Sequence, residues 1–392
     1  MMRAMERLLR IQSDIVAVVE PVASEEVRLS EASGRYLAAA AHARVPAPPY
    51  ICSAMDGYAV RSSDVPGPTT LPIASALYAG DVPGAPLPPG HAVRIFTGAP
   101  IPEGADTVVR EEATRAERGL VRILAAARAG ENVRPAGEDV LAGGLALEAG
   151  ARLGARQAAL LAAVGVESVQ ARRRLRVAVI ATGDELVLGR TPDSNGVAVA
   201  ALVRAIGGEV ERRTVGDRLD DVAATIRDAL AHADAVVTIG GVSVGERDLV
   251  PAALARAGAE VRVHGVPMKP GKPFLFARAG EVPVLGLPGS PSACLVAFEV
   301  FARPTLLARA GAARRTRPEL TLRLAEAAAG KPGRARLLWA RLEPGGRVRP
   351  LGRDAAQVRG PALADALVVL GEDAGDLAVG AEVTAWLLGD DA

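Results

Sequence analysis

Several things are scarce in this 392-residue chain, and each scarcity closes off a class of function. There are two cysteines, Cys52 and Cys294, far apart and without a CxxC pair or a Cys/His cluster, which leaves no disulfide framework and no structural zinc site. A reducing, cytoplasmic setting is the expectation. Aromatic residues make up 3% of the sequence, too few for the row of rings on which single-stranded nucleic acid stacks. An excess of one charge is missing too: Lys plus Arg number 46 against 45 Asp plus Glu, a net +1, so no global field draws in nucleic acid or anionic lipid. Any bound anion has to be gripped locally. Arg, Asp and Glu interrupt even the Ala-rich stretches, so no run of about eighteen apolar residues and no membrane span is expected. The opening MMRAMERLLRIQSDIVAVVEP lacks the continuous apolar segment of a signal peptide. Its Met5, Leu8, Leu9, Ile15 and Val19 share roughly one face, which predicts an amphipathic helix.

What is present divides into blocks, as expected of a chain too long for one core. Proline-rich stretches at 43–53 and 64–72 break helices and put a boundary near residue 46. The short runs LPIASALY, HAVRIFTG, ADTVVREE and LVRILAAA, separated by Pro and Gly, predict an inserted β domain over 47–139. The stretch ARLGARQAALLAAVG returns to a helical period and reads as a partner for the first helix, so 1–46 and 140–174 are expected to form a composite N-terminal helical domain. From 175 to 314, strand-like and helix-like segments alternate from LRVAVIATG to DLVPAALARAG, the rhythm of a parallel α/β sheet with helices on both faces. Residues 315–392 return to short alternating segments, ELTLRLAEA, ARLLWARLE, ALVVLGE and EVTAWLLG, the pattern of a small β-barrel. The fold class is multidomain, α/β plus β.

Open α/β sheets bind ligands where strands end and helices begin, and the unusual residues fall there. In DAVVTIGGVSVGERD, Gly240, Gly241 and Gly245 would let backbone N–H groups approach a phosphate, with Ser243 between them and Asp248 at the next helix. A tight turn explains those glycines equally well. VAVIATGDEL offers Thr182, Gly183, Asp184 and Glu185, acids that can hold a divalent ion or simply start a helix. Asp193, Ser194 and Asn195 suit helix capping, and Asp217, Asp220 and Asp221 cluster before another helix, where solvated caps account for at least one. VPMKPGKPFLF holds Lys269 and Lys272 three apart on a chain stiffened by Pro270 and Pro273, so both ammonium groups could be directed at one anion. LGLPGSPSACLVAFEVF makes a rigid corner of Pro288, Gly289, Ser290, Pro291 and Ser292, whose N–H and hydroxyl donors suit a tetrahedral oxyanion. The insert's SAMDGYAV and RIFTGAPIPEGADTVVREE read as structural turns. Neither cysteine, nor His42, His91, His232 or His264, has a partner at catalytic or metal-ligand spacing.

Together SAMDGYAV, RIFTGAPIPEGADTVV, GENVRPAGEDV, ATGDEL, DSN, GGVSVGERD, MKPGKP and GLPGSP, in this order and spacing, resemble the molybdopterin molybdenumtransferase family, which includes the C-terminal domain of gephyrin. The likeness covers essentially the whole chain. It implies an elongated homodimer of four-domain subunits, each with a molybdopterin-binding α/β domain and a C-terminal β-barrel. The active site would lie between the α/β domain of one subunit and the insert of the other. The implied chemistry is molybdate transfer to the dithiolene of adenylyl-molybdopterin with release of AMP, aided by a divalent cation such as Mg2+. Carried over position by position, the resemblance makes Asp56, Glu185, Asp248, Lys269 and Lys272 catalytic. It makes Thr97, Gly183, Asp184, Ser194, Asn195, Gly240, Gly241, Ser243, Gly245, Pro288, Ser290 and Pro291 substrate-binding, and gives Glu185, Asp220, Asp221 and Asp248 to the metal. A molybdopterin adenylyltransferase is implied as substrate donor; that enzyme resembles the α/β domain alone, and the insert and tail argue against it as the identity of this chain. A pterin-binding scaffold without transfer activity would be signalled by loss of the acids, which are present. Two departures, Ile51 with Cys52 where polar residues are usual and Ser290 where Asn is common, bear on oxyanion preference.

Overall fold

The computed structural model describes residues 5–82, 84–243, 245, 248–352 and 357–389. The central sheet runs Glu209–Val215, Arg176–Thr182, Ala235–Ile239, Val282–Leu287, Leu275–Ala279, Glu260–His264. Its first four strands are parallel, and every residue of Ala235–Ile239 is buried, as a strand covered on both faces requires. Helices Ser194–Ala205, Pro291–Ala297 and Arg303–Arg309 close one face, and Leu219–His232 with Val250–Arg256 the other. The expected parallel sheet is thus found over four strands, while the last two are antiparallel. The cause is local: only Gly280 and Glu281 separate Leu275–Ala279 from Val282–Leu287, far short of the dozen or so residues a parallel crossover needs.

The stretch Pro291–Arg309 is apolar on average, though Glu299 and Arg303 interrupt it as expected. Its 19 residues are long enough to cross a bilayer, yet 89% of its most apolar window is buried inside the molecule. It is the core helix of the domain, broken by a π-turn at Phe298–Ala302.

The N-terminal helix, Glu6–Ala17, sends Leu8 and Ile15 into the α/β core, and Gln12 donates to the Val300 carbonyl of the π-turn. It does not pair with helix Ala155–Ala163, as its period had implied. That second helix puts Leu161 against Val27, Leu37 and Leu153 in a separate core. The two sequence pieces around the insert are joined instead by strand pairing, Ser24–Arg28 with Ser168–Arg172 and Ala41–His42 with Leu145–Leu147. The insert is a six-stranded sheet with two small cores of its own.

In the tail, Ala335–Glu343 pairs with both Arg347–Pro350 and Ala366–Leu370, while Glu319–Leu324 and Glu382–Leu387 complete the ring. Five strands close on themselves into a barrel, which removes exposed edges. Met268–Lys269 adds a short parallel pairing to Ala335–Glu343, seating the MKPGKP turn against the barrel.

Candidate functional site

Three loops meet at the carboxyl edge of the central sheet. The first leaves strand Arg176–Thr182. A Cβ on Gly183 would lie 2.6 Å from Oε1 of Glu185, so glycine is what lets that carboxylate fold back over the strand end. Asp184 and Asp217 then hold each other: the Asp217 N–H donates to Oδ1 of Asp184 at 2.9 Å, and the Asp184 N–H donates to Oδ2 of Asp217 at 3.3 Å. Two neighbouring strand ends are tied by their acids, and all three carboxylates are exposed.

The second loop follows Ala235–Ile239. Gly240 and Gly241 take φ of +86° and +61°, and a Cβ on either would stand 3.0 or 3.2 Å from the Thr182 hydroxyl. The turn therefore passes close beside the first loop only because both positions are glycine. Farther along, Oδ2 of Asp248 accepts from the Gly245 N–H at 2.8 Å. Ser243 and Gly245 belong to this loop; Val244, Glu246 and Arg247 of the same motif lie outside the described residues.

The third loop, Pro288 to Ser292, follows Val282–Leu287. Asn195 Nδ2 donates to the Gly289 carbonyl at 2.7 Å, and a Cβ on Gly289 would lie 3.5 Å from the Gly240 Cα. Asp193 serves as the cap, accepting from the Gly196 N–H at 2.8 Å and pairing with Arg212 at 2.7 Å, while Ser194 begins the helix. Ser290 is exposed at the start of Pro291–Ala297 and makes no capping bond with its side chain. Ser292 is buried and accepts from Trp339 Nε1 at 2.8 Å, which fastens the barrel to this corner.

Lys269 and Lys272 flank the same edge, but each lines its own hollow. Lys269 shares one with Ser292, Arg336 and Trp339. Lys272 shares the other with Arg7, His264 and Arg334. Their spacing suggested one shared anion; Gly271, at φ +102°, turns the chain sharply between them. Arg334 and Arg336 were not singled out from the sequence, because nothing local links a barrel strand to a turn over sixty residues earlier.

Asp220 and Asp221 are both exposed, Asp220 paired with Arg256 and Asp221 with Arg218 at 3.3 Å. Of that cluster, Asp217 is the acid joined to the site. Among the described residues no three His, Cys, Asp or Glu side chains converge as a ready metal site. The donor types still fit Mg2+, which takes hard oxygens, keeps waters, and needs only one or two carboxylates when substrate phosphates complete its shell.

In the insert, the Thr97 N–H and hydroxyl both donate to Oδ1 of Asp56, at 2.8 and 2.7 Å. Those two bonds, the backbone one foremost, hold the Asp56 carboxyl below its ordinary range, so it is ionised at neutral pH. Among the described residues, no backbone or side-chain hydrogen bond joins the insert to the α/β domain of the same chain. Among those residues the Asp56 and Thr97 side chains are thus bonded to each other and not to the acids of the central sheet.

Acids, glycine-opened backbone and flanking cations at the carboxyl edge of an α/β sheet define a binding protein for a phosphate-bearing polyanion. Comparison with known proteins narrows the class. Residues 3–165 match the MoeA N-terminal region (domain I and II), 178–308 a probable molybdopterin binding domain, and 321–388 the MoeA C-terminal region (domain IV). A molybdopterin molybdenumtransferase of Nostoc is 42% identical over 75% of this chain and 71% of its own. Molybdopterin molybdenumtransferase 2 of Mycobacterium tuberculosis is 34% identical over 98% of this chain and 99% of its own. The crystal structure of a molybdopterin biosynthesis MoeA protein from Pyrococcus horikoshii superposes with a TM-score of 0.74 at 31% identity, covering 97% of this chain and 98% of that one. The chain belongs to the molybdopterin molybdenumtransferase family.

Proposed function

We propose that the chain inserts molybdenum into adenylyl-molybdopterin. Water cleaves the phosphoanhydride, releasing AMP and leaving the pterin as its phosphate monoester. The two dithiolene sulfurs bond to molybdate, and one oxide leaves as water with the two thiol protons. The observation that carries this reading is the meeting of three loops, at 182–185, 240–243 and 288–292, which brings carboxylates, phosphate-accessible backbone and Ser290 to one edge.

Gly240, Gly241, Ser243 and Gly245 receive the phosphates, with Gly183, Asp184, Asn195, Pro288 and Pro291 shaping the cleft. Glu185 and Asp248, joined by Asp217, are the acids that would hold Mg2+ at the anhydride. The ion would supply charge neutralisation to the bridging phosphates. Lys269 with Arg336 in one hollow, and Lys272 with Arg334 in the other, supply two separate cationic points, one for the incoming molybdate and one for a substrate phosphate.

A two-fold dimer completes the site. Val187, Leu188 and Val197 are 56%, 60% and 55% exposed beside the α/β acids, and Tyr50, Ile51 and Met55 are 38%, 52% and 44% exposed beside Asp56. Pairing these apolar patches between subunits would bury both and carry Asp56 and Thr97 to Glu185. The buried free thiols suit a reducing cytoplasm, where an adenylyltransferase would supply the adenylylated pterin.

The test is AMP release from adenylyl-molybdopterin and Mg2+, with and without molybdate. Molybdate-dependent release is expected. Tight pterin binding without release would replace the transferase reading with that of a scaffold.

A further inference from the structure

The chain has two Trp, four Tyr and five Phe, and eight of these eleven are buried. The three that are not, Tyr50, Tyr78 and Phe96, gather on the insert around Asp56 and Thr97. Tyr78 and Phe96 stack with ring centroids 4.6 Å apart and planes 10° from parallel, and Tyr78 is 55% exposed. Phe96 immediately precedes Thr97, whose two bonds hold Asp56. Tyr50 reaches the same loop, its hydroxyl on the Gly98 carbonyl at 3.4 Å, and Ala79 packs 3.6 Å from where a Gly98 Cβ would stand.

The stack is held in place from beneath. The Arg94 guanidinium lies 5.2 Å from the Phe96 centroid and 5.0 Å from that of Tyr58, and it is anchored by Glu111 and the Tyr58 hydroxyl, both at 2.8 Å. The turn that presents Tyr78 is closed by Asp81, whose carboxylate accepts the Tyr78 N–H at 2.7 Å. A rigid aromatic face left open to water costs hydrophobic free energy, and in a chain this poor in aromatics it stands where the two candidate insert residues are.

We infer that the Tyr78–Phe96 stack is a platform for the fused nitrogen heterocycle of the substrate, adenine or pterin, placing it against Asp56. This rests on the transfer function proposed above. A stacked base is sequence-tolerant, flat and amine-bearing; the open Tyr78 face supplies the surface, and the Asp56 carboxylate accepts from a ring amine.

The experiment is calorimetric titration of the full-length protein with AMP and, separately, with a free pterin, comparing wild type with Tyr78→Ala and Tyr78→Phe, and sedimenting each variant. Tyr78→Ala is expected to weaken one ligand about tenfold or more, the scale of a single stacked base, with Tyr78→Phe close to wild type. Loss confined to AMP assigns the platform to adenine, and loss confined to the pterin assigns it to that ring. Wild-type binding that Tyr78→Ala leaves unchanged overturns the platform alone, as does a loss that appears only together with loss of the dimer. A wild-type protein that binds neither ligand overturns the platform and the transferase reading together.

Discussion

Asp234 sits where helix Leu219–His232 gives way to strand Ala235–Ile239, and it is 7% exposed. Burial pushes its carboxyl up, but two bonds from the Arg173 guanidinium and the Arg176 N–H at 2.9 Å outweigh that, and the net shift is downward. A carboxyl lowered in the folded state stabilises fully above its unfolded pKa, near 4, and loses that contribution as pH falls through the folded value. Asp234→Asn is therefore expected to cost about 2 kcal/mol at pH 7. The gap in Tm from wild type should narrow as pH drops below about 4; a gap that stays constant would refute the ionic account. Burial likewise pushes the Cys294 thiol up to about 12 and raises that of Cys52. Neither thiol is then reactive at neutral pH, so iodoacetamide should label neither in the native protein and both in denaturant. Prompt native labelling would mean that one of them opens to solvent.

Among the loops and strands, the glycines separate two kinds of damage. A Cβ on Gly57 would come within 2.1 Å of the Val109 carbonyl oxygen, inside the insert's sheet. Gly57→Ala should cost at least about 2 kcal/mol and make the insert the first region cut in limited proteolysis. At Gly216 the added Cβ meets only Oδ1 of Asp184, at 2.7 Å, and that carboxylate can swing away. Gly216→Ala should leave the unfolding midpoint within a degree or two yet lower molybdate-dependent AMP release, because it breaks the Asp184–Asp217 tie. Equal loss of stability in both variants would sink this division. Glu185→Gln, changing an exposed carboxylate, is expected to cut turnover about a hundredfold with unchanged Tm.

For the whole molecule, the proposed division of the site between two subunits makes a strong test possible. If each site takes its insert from one subunit and its α/β edge from the other, Asp56→Asn and Glu185→Gln chains should each be inactive alone. Unfolded and refolded together, they form mixed dimers in which one of the two sites carries neither change, so about a quarter of wild-type activity should return. No recovery, with mixed dimers shown to form, would place both acids in one subunit's site. Leu188→Asp should weaken dimerisation in sedimentation at micromolar concentration, since it puts a charge on one of the exposed apolar patches.

Much of this molecule was determined by sequence alone. The alternation that marks Arg176–Thr182, Ala235–Ile239 and the helices between them is a local periodicity, and it places Asp184, Gly240 and Pro288 at strand ends without any tertiary knowledge. The alternating tail segments likewise announce a β domain. Other features depend on which distant surfaces meet, and periodicity carries no such information. Leu8 and Ile15 form an apolar stripe that would suit either neighbouring helix, and only packing decides for the π-turned core helix. Gly57–Val60 is too short to register as a strand, yet it is wholly buried once two neighbours flank it. Asp217 looks like its neighbours Asp220 and Asp221 until strand Glu209–Val215 lies beside Arg176–Thr182 and brings it to Asp184. Tyr78 and Phe96 lie far enough apart in the chain to pass unnoticed, and they stack because parallel pairing sets Leu77 beside Ile95. Side-chain type and local spacing are written along the chain, whereas register between strands is fixed only when the cores on both faces close.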